Sequence, residues 1–593
     1  MTVPITFQTG AGRCFGWFHA ARAPARGAGV LLCRPMGYEA LCSYRTYTQL
    51  AHTLADAGFE VLRFDYHGTG DSAGGDHDPG RVPAWIDSIA CAADELKRLG
   101  GVSHIALFGM RLGATLAVQA ALRMGGVEDL VLWAPCATGR AFAREMRAAN
   151  AQRATAAPNA HGELEALGCL YTAETLEQLN ALDCVRPGRA PAQRVLIIGR
   201  DDMPAEGPLP ASYRRMGVDT TYTVWPGYAG MMAEPHEAVL EPATVASITE
   251  WLTSRPAPSP AQARLAQTPD WPDGYTVDGL REEPLAFGAD RSLFGILAEP
   301  TEAASPAHAD TAILMLNVGG NYRIGPNRNY VKLSRALAAS GYRTLRMDLA
   351  GIGDSRTEAG FSSRSMYRKR SIADVRAAID CLAARGCKRF YLMGICSGSY
   401  VAFQTALADS RVNGQILMNS RLLEWQEDQE GTWQTSMQRY YKSTDFYRRA
   451  LLRANLYRRL VRGEVDVNGI AGRIWTLLGA RFKRAFREML DGRVADEGVL
   501  AKMKQLSARG TDTLMIMSVQ DDGLDYVEFH LGRRGSRLRR HPNFRMVMIE
   551  DADHTFSTVA SQRAVIDAVR EHLDLLHLAS EQWAPLPGLI ATT

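Results

Sequence analysis

Residues 29–72 read GVLLCRPMGYEALCSYRTYTQLAHTLADAGFEVLRFDYHGTGDS, and residues 311–355 read TAILMLNVGGNYRIGPNRNYVKLSRALAASGYRTLRMDLAGIGDS. Each stretch runs from an apolar strand through a Gly-containing loop and a Tyr into a helix that ends Ala-x-x-Gly-[Phe/Tyr]. Each then enters a second strand and closes on Asp-x-x-Gly-x-Gly-Asp-Ser. The likeness continues downstream. Ile105-Ala106-Leu107-Phe108-Gly109-Met110-Arg111-Leu112-Gly113 is echoed by Phe390-Tyr391-Leu392-Met393-Gly394-Ile395-Cys396-Ser397-Gly398. Leu130-Val131-Leu132-Trp133 returns as Gln415-Ile416-Leu417-Met418, and the strands at 195–198 and 514–517 both lead into an Asp-Asp pair. Short apolar strands alternating with helices predict βαβ units and a mostly parallel, doubly wound sheet. Strands that read as unbroken apolar runs are covered on both faces. The chain is therefore expected to be α/β, with one such domain at 1–255, a Pro- and Ala-rich linker at 256–275, and a second domain at 276–593.

The length of 593 residues accommodates two or three domains of ordinary size. With a net charge of +3 nothing global argues for nucleic acid, none is expected as a partner, and no apolar run reaches the roughly 20 residues of a membrane span. Met1-Thr2-Val3-Pro4-Ile5-Thr6 has no basic start and no apolar core, so no secretory signal is expected. Ten cysteines without metal-ligand spacing predict reduced thiols, a cytoplasmic setting and no metal site. No cofactor is implied.

Gly394-Ile395-Cys396-Ser397-Gly398 lies between a strand and a helix, where a sharp turn needs glycine two residues to either side of an exposed nucleophile. Such a turn leaves the thiol at a helix N-terminus, where the dipole favours an anion. A buried structural cysteine is the plain alternative, and Ser397 or Ser399 as nucleophile is disfavoured because neither has glycine at both offsets. In the first copy the same slot holds Arg111, which stays protonated and cannot accept an acyl group.

With the Asp-x-x-Gly-x-Gly-x-Ser turns at Asp65–Ser72 and Asp348–Ser355, both halves resemble the α/β-hydrolase superfamily, in particular its serine aminopeptidase-like branch, which includes hydrolases associated with exosortase systems. The resemblance implies two tandem α/β-hydrolase domains and the order nucleophile, acid, histidine. It departs at Cys396, where the branch has serine; cysteine in this box also occurs in dienelactone hydrolases, polyhydroxyalkanoate synthases and some thioesterases. The acid is then Asp521, favoured by its spacing, or Asp522, and the base is His554, just past the last strand. The oxyanion donors are expected at Ser397 and at Val318 or Gly319.

In the first copy Gly230 stands about where the histidine would, and Asp201 or Asp202 is retained, so a degenerate site of Arg111, Asp202 and Gly230 is expected. A partly buried carboxylate that has lost its histidine needs a partner. Arg111 is expected to supply it by pairing with Asp202 or Asp201.

Between Trp425 and Thr511 the repeat breaks down, and a helical cap is expected at about 426–510. That segment carries 17 Lys and Arg against 10 Asp and Glu, a balance that suits an acidic partner as well as a solvated helical face. The expected activity is that of an acyl hydrolase or acyltransferase, thioesterase-like, working through an acyl-cysteine. Its substrate would be an acyl ester or thioester, with a carrier protein or coenzyme A as the bearer. The alternative is a non-catalytic scaffold of two inactive folds. Oligomeric state and the acyl group are not legible.

Overall fold

Consecutive apolar positions such as Val195-Leu196-Ile197-Ile198 need cover on both faces of their strand. The computed structural model describes residues 2–22, 24–151, 162–203, 206–256, 269–300, 308, 310–357, 370–424 and 498–582. The chain divides into two compact units, residues 1–366 with 556–562, and residues 367–555 with 563–593.

In the first unit, β1 (Thr2–Thr9), β2 (Gly12–His19), β3 (Ala28–Cys33), β4 (Glu60–Phe64), β5 (His104–Met110), β6 (Asp129–Trp133), β9 (Arg194–Gly199) and β10 (Asp219–Val224) form one sheet. Their order is β1-β2-β4-β3-β5-β6-β9-β10, with β7 (Leu164–Ala166) and β8 (Cys169–Tyr171) in a separate hairpin. Only β1 with β2 and β2 with β4 are antiparallel; the pairs from β4 onward are parallel. In register, Leu31 faces Leu62 and Leu107, Leu107 faces Leu130, and Leu130 faces Val195. This row joins the core around Trp85, Leu96 and Leu116. The alternate row, with Val30, Val61, Ala106, Val131 and Leu196, joins the opposite core around Leu50, Leu54 and Ile248. The period of two thus distributes one apolar run between two layers.

The second copy begins within this unit. β11 (Tyr275–Val277), β12 (Leu280–Phe287), β13 (Leu293–Pro300), β14 (Thr311–Leu316) and β15 (Arg343–Asp348) run in the order β11-β12-β13-β15-β14. Disregarding β11, this repeats β1-β2-β4-β3. The first compact unit therefore holds these strands as well as the first sheet, and most of the Pro-rich stretch lies outside the described residues. An ion network joins the two Asp-x-x-Gly-x-Gly-Asp-Ser turns.

Each turn is built alike. The first aspartate folds back on its own turn, Asp65 accepting from the Asp71 N–H at 3.0 Å and Asp348 from the Asp354 N–H at 3.1 Å. A Cβ on Gly70 or Gly353 would sit 2.0 or 2.2 Å from that carboxylate, so only glycine fits. The closing serines accept from the N–H groups of Phe15 and Phe294, each at 2.9 Å. The second aspartates cross over reciprocally: Asp71 pairs with Arg346 of the second copy, and Asp354 with Arg63 of the first. Arg323 joins both, 2.7 Å from each carboxylate. These guanidiniums hold Asp71 and Asp354 below the usual carboxylate range against the cost of burial.

In the second unit, β16 (Arg389–Ile395), β17 (Val412–Met418), β18 (Asp512–Ser518) and β19 (Phe544–Ile549) are parallel and adjacent in that order. They repeat β5-β6-β9-β10. The expected cap falls largely on residues 425–497, outside the described residues; at its end, Val499–Ala508 is helical.

Candidate functional site

The Gly394–Gly398 pentapeptide makes the sharp turn its spacing predicts. Cys396 has φ 55° and ψ −115° and directly precedes the helix Ser397–Ala408. Non-glycine residues avoid this region of backbone space, and a strained residue there costs about 1–3 kcal/mol. A Cβ on Gly394 would lie 2.1 Å from the Gly398 carbonyl carbon, which is why glycine is required. Ser399 is fully buried; its Oγ donates to the Gly394 carbonyl at 2.7 Å and accepts the Met418 N–H at 3.0 Å, so it braces the turn. The Cys396 N–H is anchored to the Met418 carbonyl at 3.0 Å.

Of the two aspartates after β18, Asp521 is the one that meets His554. Its Oδ2 is hydrogen-bonded to His554 Nδ1, and its side chain is wholly buried while the imidazole is 21% exposed. Asp522 is exposed and precedes the helix Gly523–Leu531. The His554 ring is also hydrogen-bonded to the Cys396 thiol. Cysteine, imidazole and carboxylate thus form one chain. Burial pushes the Cys396 thiol up, but the imidazolium charge, its hydrogen bond and the Arg421 charge outweigh it and bring the thiol below 9.0. Burial lowers His554, yet the thiolate and the hydrogen bonds to Asp521 and Cys396 raise it to about 10. Both shifts have one cause, the mutual attraction of the charged forms of Cys396 and His554.

Sequence reasoning missed two residues. Asn419, at φ 42°, donates to the carbonyl of His554 at 2.9 Å and accepts the Ser518 N–H at 2.7 Å, so it ties the end of β18 to the histidine loop. Its only signal is an Asn, tolerant of positive φ, directly after β17. Arg421, two residues later, adds positive charge near the thiol. Ser397, the first residue of the helix, is buried. Val318 is buried, and Gly319 has φ 55°; both belong to the other compact unit.

The first copy has the same turn with different chemistry. Arg111, at φ 54° and ψ −125°, precedes the helix Leu112–Met124, and its N–H reaches the Trp133 carbonyl at 3.0 Å. The expected pairing of Arg111 with Asp202 or Asp201 is not formed. Its guanidinium donates to Glu39 at 2.7 Å and to Glu145. Asp202 pairs instead with Arg200 at 2.7 Å. Asp201 accepts the N–H groups of Gly227 at 2.8 Å and Ala229 at 3.0 Å. The aspartate after β9 therefore found backbone donors in the loop that would have carried a histidine, while nearer carboxylates neutralised the arginine. Gly230 lies in the short helix Tyr228–Met231, with Val239 beside it. Among the described residues, no group of three His, Cys, Asp or Glu side chains could hold a metal ion, and no helix is long and apolar enough to cross a membrane.

Family models match both copies. The serine aminopeptidase, S33, family matches residues 41–181, and the alpha/beta hydrolase fold family matches residues 314–509. The chain belongs to the α/β-hydrolase superfamily. It carries two α/β-hydrolase folds in tandem and is of the α/β-hydrolase enzyme type. Among solved structures, this α/β hydrolase is similar to Est1E from Butyrivibrio proteoclasticus with ferulic acid bound, at 15% identity and a TM-score of 0.33, over 42% of this chain and 98% of that one. It is also similar to an alpha-beta serine hydrolase homologue from Coxiella burnetii (15% identity, TM-score 0.28, 42% and 95% covered). A thermostable carboxyl esterase from Bacillus coagulans in complex with glycerol shows 11% identity and a TM-score of 0.30, with 43% and 98% covered. No curated protein sequence matches the chain.

Proposed function

We propose that the second copy is an acyl hydrolase or acyltransferase acting through an acyl-cysteine at Cys396, and that the first copy is catalytically inactive. The observation that carries this reading is the bridge His554 makes between the Asp521 carboxylate and the Cys396 thiol. A thiolate–imidazolium pair at the start of a helix is poised to attack an acyl carbonyl. In the first half-reaction Cys396 Sγ bonds the acyl carbon, the bond to the leaving sulfur or oxygen breaks, and His554 gives its proton to that atom. In the second, His554 takes a proton from water or another acceptor, which attacks the acyl-cysteine and frees the thiolate. Asp521 holds the imidazole tautomer and its charge throughout. The Ser397 N–H is the proposed oxyanion donor in this unit; a second donor from Val318 or Gly319 rests on the sequence pattern alone.

A sulfur nucleophile exchanges readily with thioesters, which favours a thioester donor borne by coenzyme A or a carrier protein. A reduced, cytoplasmic setting keeps such a thiol active. Inactivity of the first copy is supported by Arg111 in the nucleophile slot, neutralised by Glu39 and Glu145. The test is intact-protein mass after incubation with acyl thioesters of varied chain length. One acyl group per chain, absent in Cys396→Ala, is expected. No adduct and no turnover with any donor would leave the non-catalytic scaffold.

A further inference from the structure

The ends of β6 and β17 are built alike. Ala134 and Asn419, the residues just past the two strands, have φ 47° and 42°, and their N–H groups reach the Ile198 and Ile516 carbonyls at 2.7 and 2.9 Å. The residue in each nucleophile slot is tied to the last residue of the strand, Arg111 to Trp133 and Cys396 to Met418, each at 3.0 Å. Two residues further on, Cys136 therefore stands in the first copy where Arg421 stands in the second. In the first copy this position lies against the slot, with the Cys136 N–H reaching the Arg111 carbonyl at 3.5 Å. The copies thus exchange residue types: arginine in the slot with cysteine beside it, and cysteine in the slot with arginine beside it.

The loop that carries Arg421 is clamped to all three segments that bear Cys396, Asp521 and His554, within the second compact unit. Asn419 holds the His554 carbonyl. Gln404, on the helix that Cys396 opens, donates to the Leu423 carbonyl at 2.6 Å. The Leu423 N–H donates at 3.1 Å to the hydroxyl of Tyr526, on the helix that follows Asp521. Arg421 sits in the middle of this clamped loop, half-buried, and its charge reaches the Cys396 thiol. The slot arginine of the first copy is neutralised by Glu39 and Glu145. Arg421 differs: among the described residues no carboxylate pairs with it, and its Nε is shut off from solvent without an acceptor. Glu424, three residues along, pairs with Lys502 at 2.6 Å, and Asp521 takes the His554 ring and the Gly523 N–H. A charged donor closed off from water and unpaired is costly, and an anion at that spot removes the cost.

We propose that Arg421 selects the acyl donor by binding a carboxylate at the far end of a short acyl chain whose thioester carbonyl meets Cys396. This rests on the acyl-cysteine reading of the second copy and names its substrate class. Guanidinium forks match carboxylate oxygens in pairs. The phosphates of coenzyme A or of a carrier arm stand a whole pantetheine away from the thioester, so they are not the anion that meets a cation beside the nucleophile. When the acyl carbon passes to Cys396 Sγ and the leaving thiol takes the His554 proton, the carboxylate stays on Arg421 and keeps the chain in place for the second half-reaction.

The test uses the full-length protein with N-acetylcysteamine thioesters, which carry no phosphate. Succinyl and glutaryl donors are compared with butyryl and pentanoyl donors of equal carbon count, by the rate at which the intact mass gains the acyl group. At least one acidic donor should acylate Cys396 about tenfold or more faster than its neutral counterpart. Arg421→Ala, and Arg421→Gln with its closer match in size, should bring that ratio close to one. The ratio cancels any change in thiol acidity, which acts on both kinds of donor alike, so a guanidinium that only acidifies the thiol would leave it unmoved. Protection of Cys396 from iodoacetamide reads the same contact without turnover: succinate or glutarate should protect at about tenfold or more lower concentration than butyrate or pentanoate, and only in the parent. Failure of all four donors to acylate tells against the acyl-cysteine reading, and protection then decides the carboxylate site by itself. The assignment is overturned if acylation proceeds with no acidic preference, if neither diacid protects better than its neutral counterpart, or if the preferences survive in both variants.

Discussion

Replacing His554 with alanine removes the imidazolium that holds the Cys396 thiol below 9.0 and leaves burial to act. The same chain shows how far burial can go. Cys14, opposed chiefly by the Ser88 and Ser72 hydroxyls, is pushed up to about 12. For each pH unit that the thiol rises, about 1.4 kcal/mol, the thiolate population at pH 7.5 falls about tenfold while the more basic thiolate regains a factor of about three in intrinsic reactivity. The net expectation is a loss of about threefold in alkylation rate for each unit of the rise. The assay is iodoacetamide modification of Cys396, followed by peptide mass from pH 5.5 to 9. The parent should react with a midpoint below 9.0 and the variant with a rate still climbing at the top of the range. Equal rates at pH 7.5, or a parent midpoint above 9.0, would refute the ion-pair argument.

Asp512, raised to about 6 mainly by burial and only partly offset by the Tyr391 hydroxyl, should make the native state bind a proton that the unfolded chain gives up near 3.8. Stability from this group is greatest below the unfolded value and is lost as pH rises through about 6, so Asp512→Asn should stabilise by about 1–2 kcal/mol at pH 7 and by nothing near pH 3.5 in urea titrations. Arg111→Met strands the nearly buried Glu39 carboxylate and should cost about 3–5 kcal/mol by chemical denaturation; a neutral result would mean that Glu39 takes up a proton at little cost. Asp354→Asn breaks the contacts to Arg63 and Arg323 and should destabilise the first compact unit by a similar amount, about 3–5 kcal/mol. Asn419→Ala should loosen the His554 loop, lowering kcat more than it raises KM for any acyl substrate that labels Cys396, while thermal stability falls by about 1–2 kcal/mol.

Much of the architecture was legible in one dimension because its determinants are local. Apolar runs of strand length, the helices between them and the two copies of Asp-x-x-Gly-x-Gly-Asp-Ser set the α/β sheets and the duplication. The glycines around Cys396 set the strained bend, since only a residue without Cβ fits against Gly398. His554 was located by its place after the last strand. What tertiary structure decided is which side chains meet once distant segments converge. Asp521 and Asp522 are neighbours of identical chemistry, and only the path of the loop turns one toward His554 and the other to solvent. Arg111 was expected to seek the aspartate after β9, but Glu39 and Glu145 arrive closer from elements with no motif to announce them. The crossed pairs Asp71–Arg346 and Asp354–Arg63 were equally hidden, although all four residues stand in the quoted repeats. Periodicity tells a residue which face it occupies; the partner across that face is chosen by packing between segments hundreds of residues apart.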